Sequence, residues 1–432
     1  MSILVYVLNI SLLGGLVWWM QRQAWAKALQ PYFYPALGLK LLCGVLLGLL
    51  YFEYYGGGDT IVYYQISTLA ADIFREQGPG PFLRYLLFDD VVSERLLTYK
   101  GEHYMGAWNV IKLFSIPNLL AGGRYYLMVL YLALFSFSGM GYLTAQLMKR
   151  YPDAAPSAIV AMLFIPSVTF WSSGLLKESL VLGGMGYFLG AALALNDANR
   201  RKLIPHLLLL VSALALVWFI KYFIAAALSA SLLVGGLANL FFRLEALAKL
   251  HRGTRLPLLV GLLLAAFWLV SHLDYNLQFD RLPGVVVDNY HKYLAISLQK
   301  PHVEFSNLEP SYPSLLAHAP LAILWILFRP FPWEATDSIH YVAAAENIIL
   351  LALSMLSMYG LIRQRSLRAD WIIISLWVFC LSLGVLLTYS MPNLGTLNRY
   401  RIVFLPFFVY LLCLNPLIAA GLQKLNAKIT GR

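Results

Sequence analysis

A single acid stands where a long apolar run ends: Gly56-Gly57-Gly58-Asp59-Thr60 follows directly on the stretch from Phe33 to Tyr55, with Tyr63 and Tyr64 just beyond. A carboxylate at that boundary can take a proton from a substrate hydroxyl, or it can cap the helix that starts there. The glycines let the backbone turn sharply and let a ligand approach. Tyr63 and Tyr64 can stack on a sugar or join the interfacial aromatic belt. A second feature is the break Ser172-Ser173-Gly174-Leu175-Leu176-Lys177-Glu178-Ser179, set between apolar runs. Adjacent helical residues do not face each other, so Lys177 and Glu178 need different partners. Lys177 suits a phosphate, and Glu178 suits an arginine from another loop; the bland reading leaves both in water. A third is Asn398-Arg399-Tyr400-Arg401, whose arginine forks fit phosphate bidentately, or else anchor to lipid headgroups. The rigid, aromatic run Arg329-Pro330-Phe331-Pro332-Trp333-Glu334 suits a substrate rim.

Other charges read more plainly. Lys221 at a helix end is expected to snorkel, and Glu346, inside an apolar run, to have a basic partner. Asp89, Asp90, Glu94, Arg95, Lys100, Glu102 and His103 form a polar stretch of mutual ion pairs, with Glu102 and His103 a weak acid–base candidate. His291 and His302 lie among carboxylates but without compact metal-ligand spacing. No metal is required; Mg²⁺ or Mn²⁺ on Asp59 and another carboxylate is compatible with these residues.

The elements that must position these groups follow from composition. The chain has 432 residues, 60% hydrophobic and 12% charged, with net charge +11. Apolar runs of about 18 or more residues recur without strand-like alternation, which implies an all-α polytopic membrane protein. The basic residues are scattered through short loops, a pattern of membrane topology and not of a nucleic-acid surface. Cys43, Cys380 and Cys413 lie in apolar runs and read as small core residues. The first run, from Ser2 to Met20, lacks a basic leader and reads as a retained span.

Placing the basic loops in the cytoplasm yields spans near 2–20, 33–55, 123–148, 155–173, 179–196, 203–220, 222–242, 256–272, 342–362, 371–390 and 402–420. That is about eleven crossings in one transmembrane domain, 1–432, with the N-terminus outside and the C-terminus inside. The stretch from Ser314 to Phe328 is short for a crossing and contains Pro320, so it reads as re-entrant or partly inserted. Outer loops are 56–122, with an interfacial helix from Thr60 to Glu76 that Asp59 caps, and 273–341, with a further helix from Leu282 to Gln299. Every polar segment with unusual chemistry then falls on the outer face.

An early-loop carboxylate, many membrane helices and a late arginine-bearing outer loop resemble the membrane-embedded GT-C glycosyltransferases and, more loosely, bacterial exopolysaccharide and O-antigen polymerases. The resemblance rests on Asp59 with Tyr63 and Tyr64, the Ser173–Ser179 turn and Asn398-Arg399-Tyr400-Arg401. It implies a polyprenyl-phosphate-linked sugar donor, Asp59 as the catalytic acid or its neighbour, and Arg399 and Arg401 facing the lipid phosphate. It also implies a site at the outer face of a bacterial inner membrane and partner subunits of a polysaccharide assembly system. The acid here follows the second apolar run instead of the first and is a lone Asp. Two other classes remain open: a non-enzymatic transporter of lipid-linked sugar, and a structural subunit of an envelope complex.

Overall fold

The computed structural model describes residues 2–90, 96–99, 105–196, 200–243, 271–364 and 370–431, with scattered positions from 257 to 269. Regular structure there is helical apart from one isolated bridge between His302 and Asn393. Glu94, Arg95, Lys100, Glu102, His103, Lys249, Arg252, Arg255, Arg365 and Arg368 lie outside the described residues, as does most of the expected span 256–272. The chain divides into two compact units, Met1–Lys221 and Tyr222–Arg432. The division coincides with a break inside the helix Arg200–Arg243, where Lys221 leaves helical geometry (φ −145°, ψ 81°).

Among the described residues seven helices are long and apolar enough to cross a membrane: Ile3–Gln21, Phe33–Tyr55, Tyr125–Arg150, Lys177–Asn196, Lys202–Asn239, Ser338–Arg363 and Trp371–Ser390. A bent pair, Leu394–Val403 with Leu405–Cys413 at 63°, would make an eighth. A polytopic membrane protein accounts for this set.

The first unit is built on α1 (Ser2–Gln21), α2 (Phe33–Leu49), α3 (Asp59–Gln77), α4 (Pro79–Phe88), α5 (Met105–Leu120), α6 (Tyr125–Arg150), α7 (Ala155–Leu163), α8 (Pro166–Trp171), α9 (Lys177–Asn196) and the first arm of α10 (Arg200–Arg243). Helix α9 is buried on nearly all sides. It meets α6 backbone to backbone, because a Cβ on Gly139 would lie 2.1 Å from Gly183 O and one on Gly186 would lie 2.4 Å from Gly139 C. Small residues permit this approach, and dispersion over the close contact holds membrane helices together where lipid is as apolar as they are. We predict that Gly139→Leu forces the helices apart and destabilises the protein by at least the 1–3 kcal/mol typical of overpacking (order of magnitude). Thermal unfolding in detergent measures this.

The stretch 155–173, expected as one span, is broken into α7 and α8. Pro166 lacks an N–H and clashes with the preceding turn, and Ile165 before it is extended (φ −68°, ψ 123°). After α8 the chain does not go straight into α9. The non-helical residues 172–176 climb one face of α2: Lys40 Nζ donates to Ser172 Oγ at 2.5 Å, a Cβ on Gly44 would lie 2.8 Å from Ser173 O, and one on Gly174 would lie 2.4 Å from Leu47 Cδ2. Leu176 then packs on Leu47 and Tyr51. Positions 40, 44, 47 and 51 share a helix face, so this irregular segment passes the middle of a membrane-spanning helix. Non-helical backbone is tolerated at that depth only inside protein, and Ser172 to Leu176 are all buried.

Helix α3 packs one face into the unit. Thr60, Tyr63, Ile66, Ser67, Ala70, Ala71 and Ile73 are buried at helical spacing, against α5. Its outer face keeps Gln65, Arg75, Glu76 and Gln77 exposed.

The second unit contains the other arm of α10, α11 (Leu282–Ala295), α12 (Tyr312–Phe328), α13 (Ser338–Gln364), α14 (Trp371–Ser390), α15 (Leu394–Tyr400), α16 (Leu405–Cys413) and α17 (Pro416–Thr430). The expected span 402–420 is interrupted by a 3₁₀ turn, Arg401–Val403, and by Pro406 and Pro416, each at the start of a new helix. The polar segment 302–309 runs antiparallel along α12. His302 O receives Arg329, Phe305 packs on Trp325 (centroids 4.6 Å apart), Ser306 O meets His318 Nε2 at 3.1 Å, and Glu309 N–H donates to Ser314 Oγ at 3.0 Å. Burial pushes the Tyr290 phenol pKa up, and its oxygen accepts the Phe305 N–H at 2.8 Å. The three cysteines are buried.

Candidate functional sites

In the first unit, α2 runs on as a π-helical turn, Leu50–Tyr55, before Gly56 (φ 62°) and Gly58 (φ 106°) reverse the chain. A Cβ on Gly58 would lie 2.8 Å from the Tyr51 ring. Gly58, and not Asp59, is the N-cap of α3, and the cap makes no side-chain hydrogen bond. Asp59 is the first helical residue, half-buried, where its charge favours the helix dipole. The two tyrosines do not present open faces. Tyr63 is buried against Phe114, and Tyr64 is half-buried, its hydroxyl donating to Gly123 O at 2.8 Å and its ring against Tyr125. Thr60 Oγ1 and Tyr125 OH, 3.0 Å apart, pin the first turn of α3 to α6.

Tyr51 touches both Gly58 and Leu176, so the Asp59 turn and the Lys177 turn sit over the same end of α2. Lys177 Nζ lies 5.8 Å from the Tyr63 ring centroid, which makes Tyr63 a cation–π support for the lysine. Glu178 is 2% exposed, and its carboxylate pairs with Lys221 at 2.9 Å. This corrects one expectation: Lys221 is buried instead of snorkelling. Asp89 likewise pairs with the buried Lys112 at 2.7 Å and accepts Trp108 Nε1 at 2.6 Å, reaching α5 and not only its loop neighbours.

In the second unit, Arg401 is fully buried, which removes it from the phosphate-binding set. Its Nη1 donates to Ile326 O (3.3 Å) and Leu327 O (3.2 Å), and its Nη2 meets Glu346 Oε1 at 3.4 Å. It therefore serves the orphan carbonyls at the C-terminal end of α12. Glu346 has its expected basic partner. Arg399 and Asn398 sit beside it on α15, Arg399 half-exposed over the Tyr400 ring at 5.1 Å and Asn398 buried. Arg329 and Glu334 are not an open rim either. Their side chains clasp each other, and Glu334 Oε2 also accepts Phe331 N–H at 2.8 Å. This clasp holds Trp333 out, 80% exposed and stacked on Phe331 with centroids 4.8 Å apart. Arg329, Glu334, Arg401 and Glu346 thus gather at the C-terminal end of α12. Asp59, Tyr63, Lys177 and Glu178 belong to the first unit.

The second unit also holds a cavity of about 360 Å³ lined almost wholly by apolar side chains. Ala226, Ala230, Leu315, Ala319, Ile323 and Leu381 form much of its wall, with the Ser271, Tyr312, Ser382 and Tyr389 hydroxyls its few polar groups. Along α12 it extends from Tyr312 to Ile323, about 16 Å at 1.5 Å per residue. Among the described residues no three His, Cys, Asp or Glu side chains gather as a metal-binding group, so the compatibility of Asp59 with Mg²⁺ or Mn²⁺ gains no further ligands from the fold.

Two features escaped the sequence. Lys40, 5% exposed, is a buried cation within a span, so polar chemistry is not confined to the helix ends. A lone lysine in an apolar run was the available signal. The other is Asp337 with His340, an i,i+3 pair at the start of α13. Searches against protein-family models, curated proteins and solved structures give no match to this chain.

Proposed function

We propose that the protein is a glycosyltransferase or polysaccharide polymerase that uses a polyprenyl-phosphate-linked sugar at the outer face of a bacterial inner membrane. The cavity in the second unit carries this reading. Its size falls in the range of small-molecule sites, and its lining offers almost nothing to a polar ligand. An isoprenoid or acyl chain meets both conditions. The orientation follows the basic loops, with the N-terminus outside and the C-terminus inside. The polar segment along α12 supports placing both ends of that helix at one face, since such a segment has no hydrogen-bond partners in hydrocarbon. By the GT-C resemblance, Arg399, in the same unit as the cavity, is the cation for the departing phosphate. Other polysaccharide-assembly subunits are the partners this reading calls for.

The test is transfer by the purified full chain from long-chain and short-chain polyprenyl-phosphate sugars. Ala319→Phe fills the cavity. We expect it to raise KM for the long-chain donor about tenfold or more, the effect of losing roughly 1.4 kcal/mol of apolar contact, and to leave the short-chain donor unchanged. Equal KM values for both donors in the variant would remove the cavity from the reading, and absence of transfer by the wild type would remove the reading itself.

One observation favours a transporter instead: the irregular segment 172–176 beside Lys40 at the middle of α2, since transporters place substrate groups at broken helices near the midplane. Flux of lipid-linked sugar across proteoliposomes, abolished by Lys40→Met, would establish that alternative.

A further inference from the structure

Asp337 divides its two carboxylate oxygens between different tasks. Its Oδ1 accepts the backbone N–H groups of Ile339 (3.0 Å) and His340 (2.9 Å), which caps α13. Its Oδ2 lies 3.0 Å from His340 Nδ1, and Thr336 Oγ1 lies 3.2 Å from the same nitrogen. Capping needs only the first oxygen. With its proton on Nδ1, facing that second oxygen and the Thr336 hydroxyl, the neutral imidazole keeps its lone pair on Nε2.

The other face of the ring points at a different element. Nε2 has no hydrogen-bond partner among the described residues, and the side chain is 15% exposed, so water or a hydroxyl can reach it. A Cβ on Gly395 of α15 would lie 3.5 Å from Nε2 and 3.3 Å from Asn393 Oδ1. Two acceptor atoms therefore converge over a residue that has no side chain to fill the gap. Asn393 is itself fixed, because its Oδ1 accepts the Thr396 N–H at 3.0 Å. An oriented imidazole with an open Nε2, backed by a carboxylate on Nδ1, is the arrangement of a general base.

We propose that His340 Nε2 accepts the proton of the hydroxyl nucleophile, with Asp337 as its positioning partner. This rests on the sugar-transfer reading and moves proton acceptance from Asp59 to His340. In the step, the acceptor hydroxyl gives its proton to Nε2 and its oxygen forms a bond to the anomeric carbon of the donor. The bond from that carbon to the lipid phosphate oxygen breaks, and its electron pair leaves with the phosphate. The Asp337 carboxylate stabilises the imidazolium, which returns its proton to water. The charged groups on the elements packed around the ring are Arg329 and Glu334 in the preceding segment, Glu346 further along α13, Arg399 on α15 and Arg401 just after it.

The experiment measures transfer from a polyprenyl-phosphate sugar by the full chain from about pH 5 to pH 8, the range in which a histidine changes charge. Wild type, His340→Ala, Asp337→Asn and Asp59→Asn are compared, each first matched to wild type in thermal unfolding. If the alanine variant does not match, His340→Gln takes its place. Wild-type kcat is expected to fall on the acid side, as it does for a step that needs a neutral general base. His340→Ala is expected to lower kcat by about 10²–10⁴-fold with little change in KM and to lose that acid limb. Asp337→Asn is expected to lower kcat with little change in KM, because the ring loses the carboxylate that stabilises its charged form in the step. A merely structural cap would change stability and leave kcat in place. The assignment is overturned, with sugar transfer intact, by kcat within twofold of wild type in His340→Ala. It is equally overturned by an acid limb that survives there and vanishes in Asp59→Asn. No transfer by wild type overturns the transfer reading before any variant is compared, and this inference with it.

Discussion

Lys221→Met is expected to destabilise the protein by about 3–5 kcal/mol, and adding Glu178→Leu to the same chain is expected to recover most of the loss. Lys221 and Glu178 are both buried, and their charged atoms are 2.9 Å apart. Removing only the lysine leaves a carboxylate in a dry site that supplied its counter-charge. Removing both leaves no uncompensated charge, and buried ion pairs are often replaced by hydrophobic residues at no net cost. The double variant separates a structural pair from a functional one. If folding recovers while sugar transfer does not, the pair serves the reaction as well as the fold. If the single variant unfolds at the wild-type temperature in detergent, the ion pair carries none of the stability assigned to it.

Arg401→Leu is expected to be nearly as damaging, by about 3–5 kcal/mol, whereas Arg399→Leu stays within about 1 kcal/mol of wild type. One residue separates these arginines, yet their surroundings differ completely. Arg401 is fully buried, facing two helix-end carbonyls and Glu346, so leucine leaves two acceptors and a partly buried acid without their donor. Arg399 is half-exposed over Tyr400. Thermal unfolding distinguishes them directly. A sugar-transfer assay then reads Arg399→Leu as a change in activity at constant stability. Equal unfolding temperatures for both variants would show that Arg401 is dispensable to α12.

The class of the protein was legible in the chain itself. Long apolar runs with few charges allow little besides membrane helices, because lipid leaves backbone groups no partner except each other. The sharp turn before Asp59 was legible for a similar reason: glycine alone adopts the positive φ of Gly56 and Gly58 without strain. The break at residues 172–176 could also be anticipated, since Pro166 and Gly174 interrupt the run.

The partners of the charged groups were not legible. Sequence spacing marks Lys177, Glu178, Arg399 and Arg401 as unusual, but it cannot say which of them faces solvent. Burial depends on neighbours far away in the chain. Glu178 met Lys221, 43 residues on, and Arg401 met carbonyls 74 and 75 residues back. Arg329 and Glu334 spent their charges on each other. Asp337 and His340 were passed over because an i,i+3 pair at a helix start is ordinary in sequence. Only the approach of Gly395 from another helix makes the open Nε2 notable. The sequence by itself determined that this is a helical membrane protein with an acid at a glycine turn. The tertiary structure decided which charges are braces and which are exposed, because pairing through space, and not position along the chain, sets the environment of a charge.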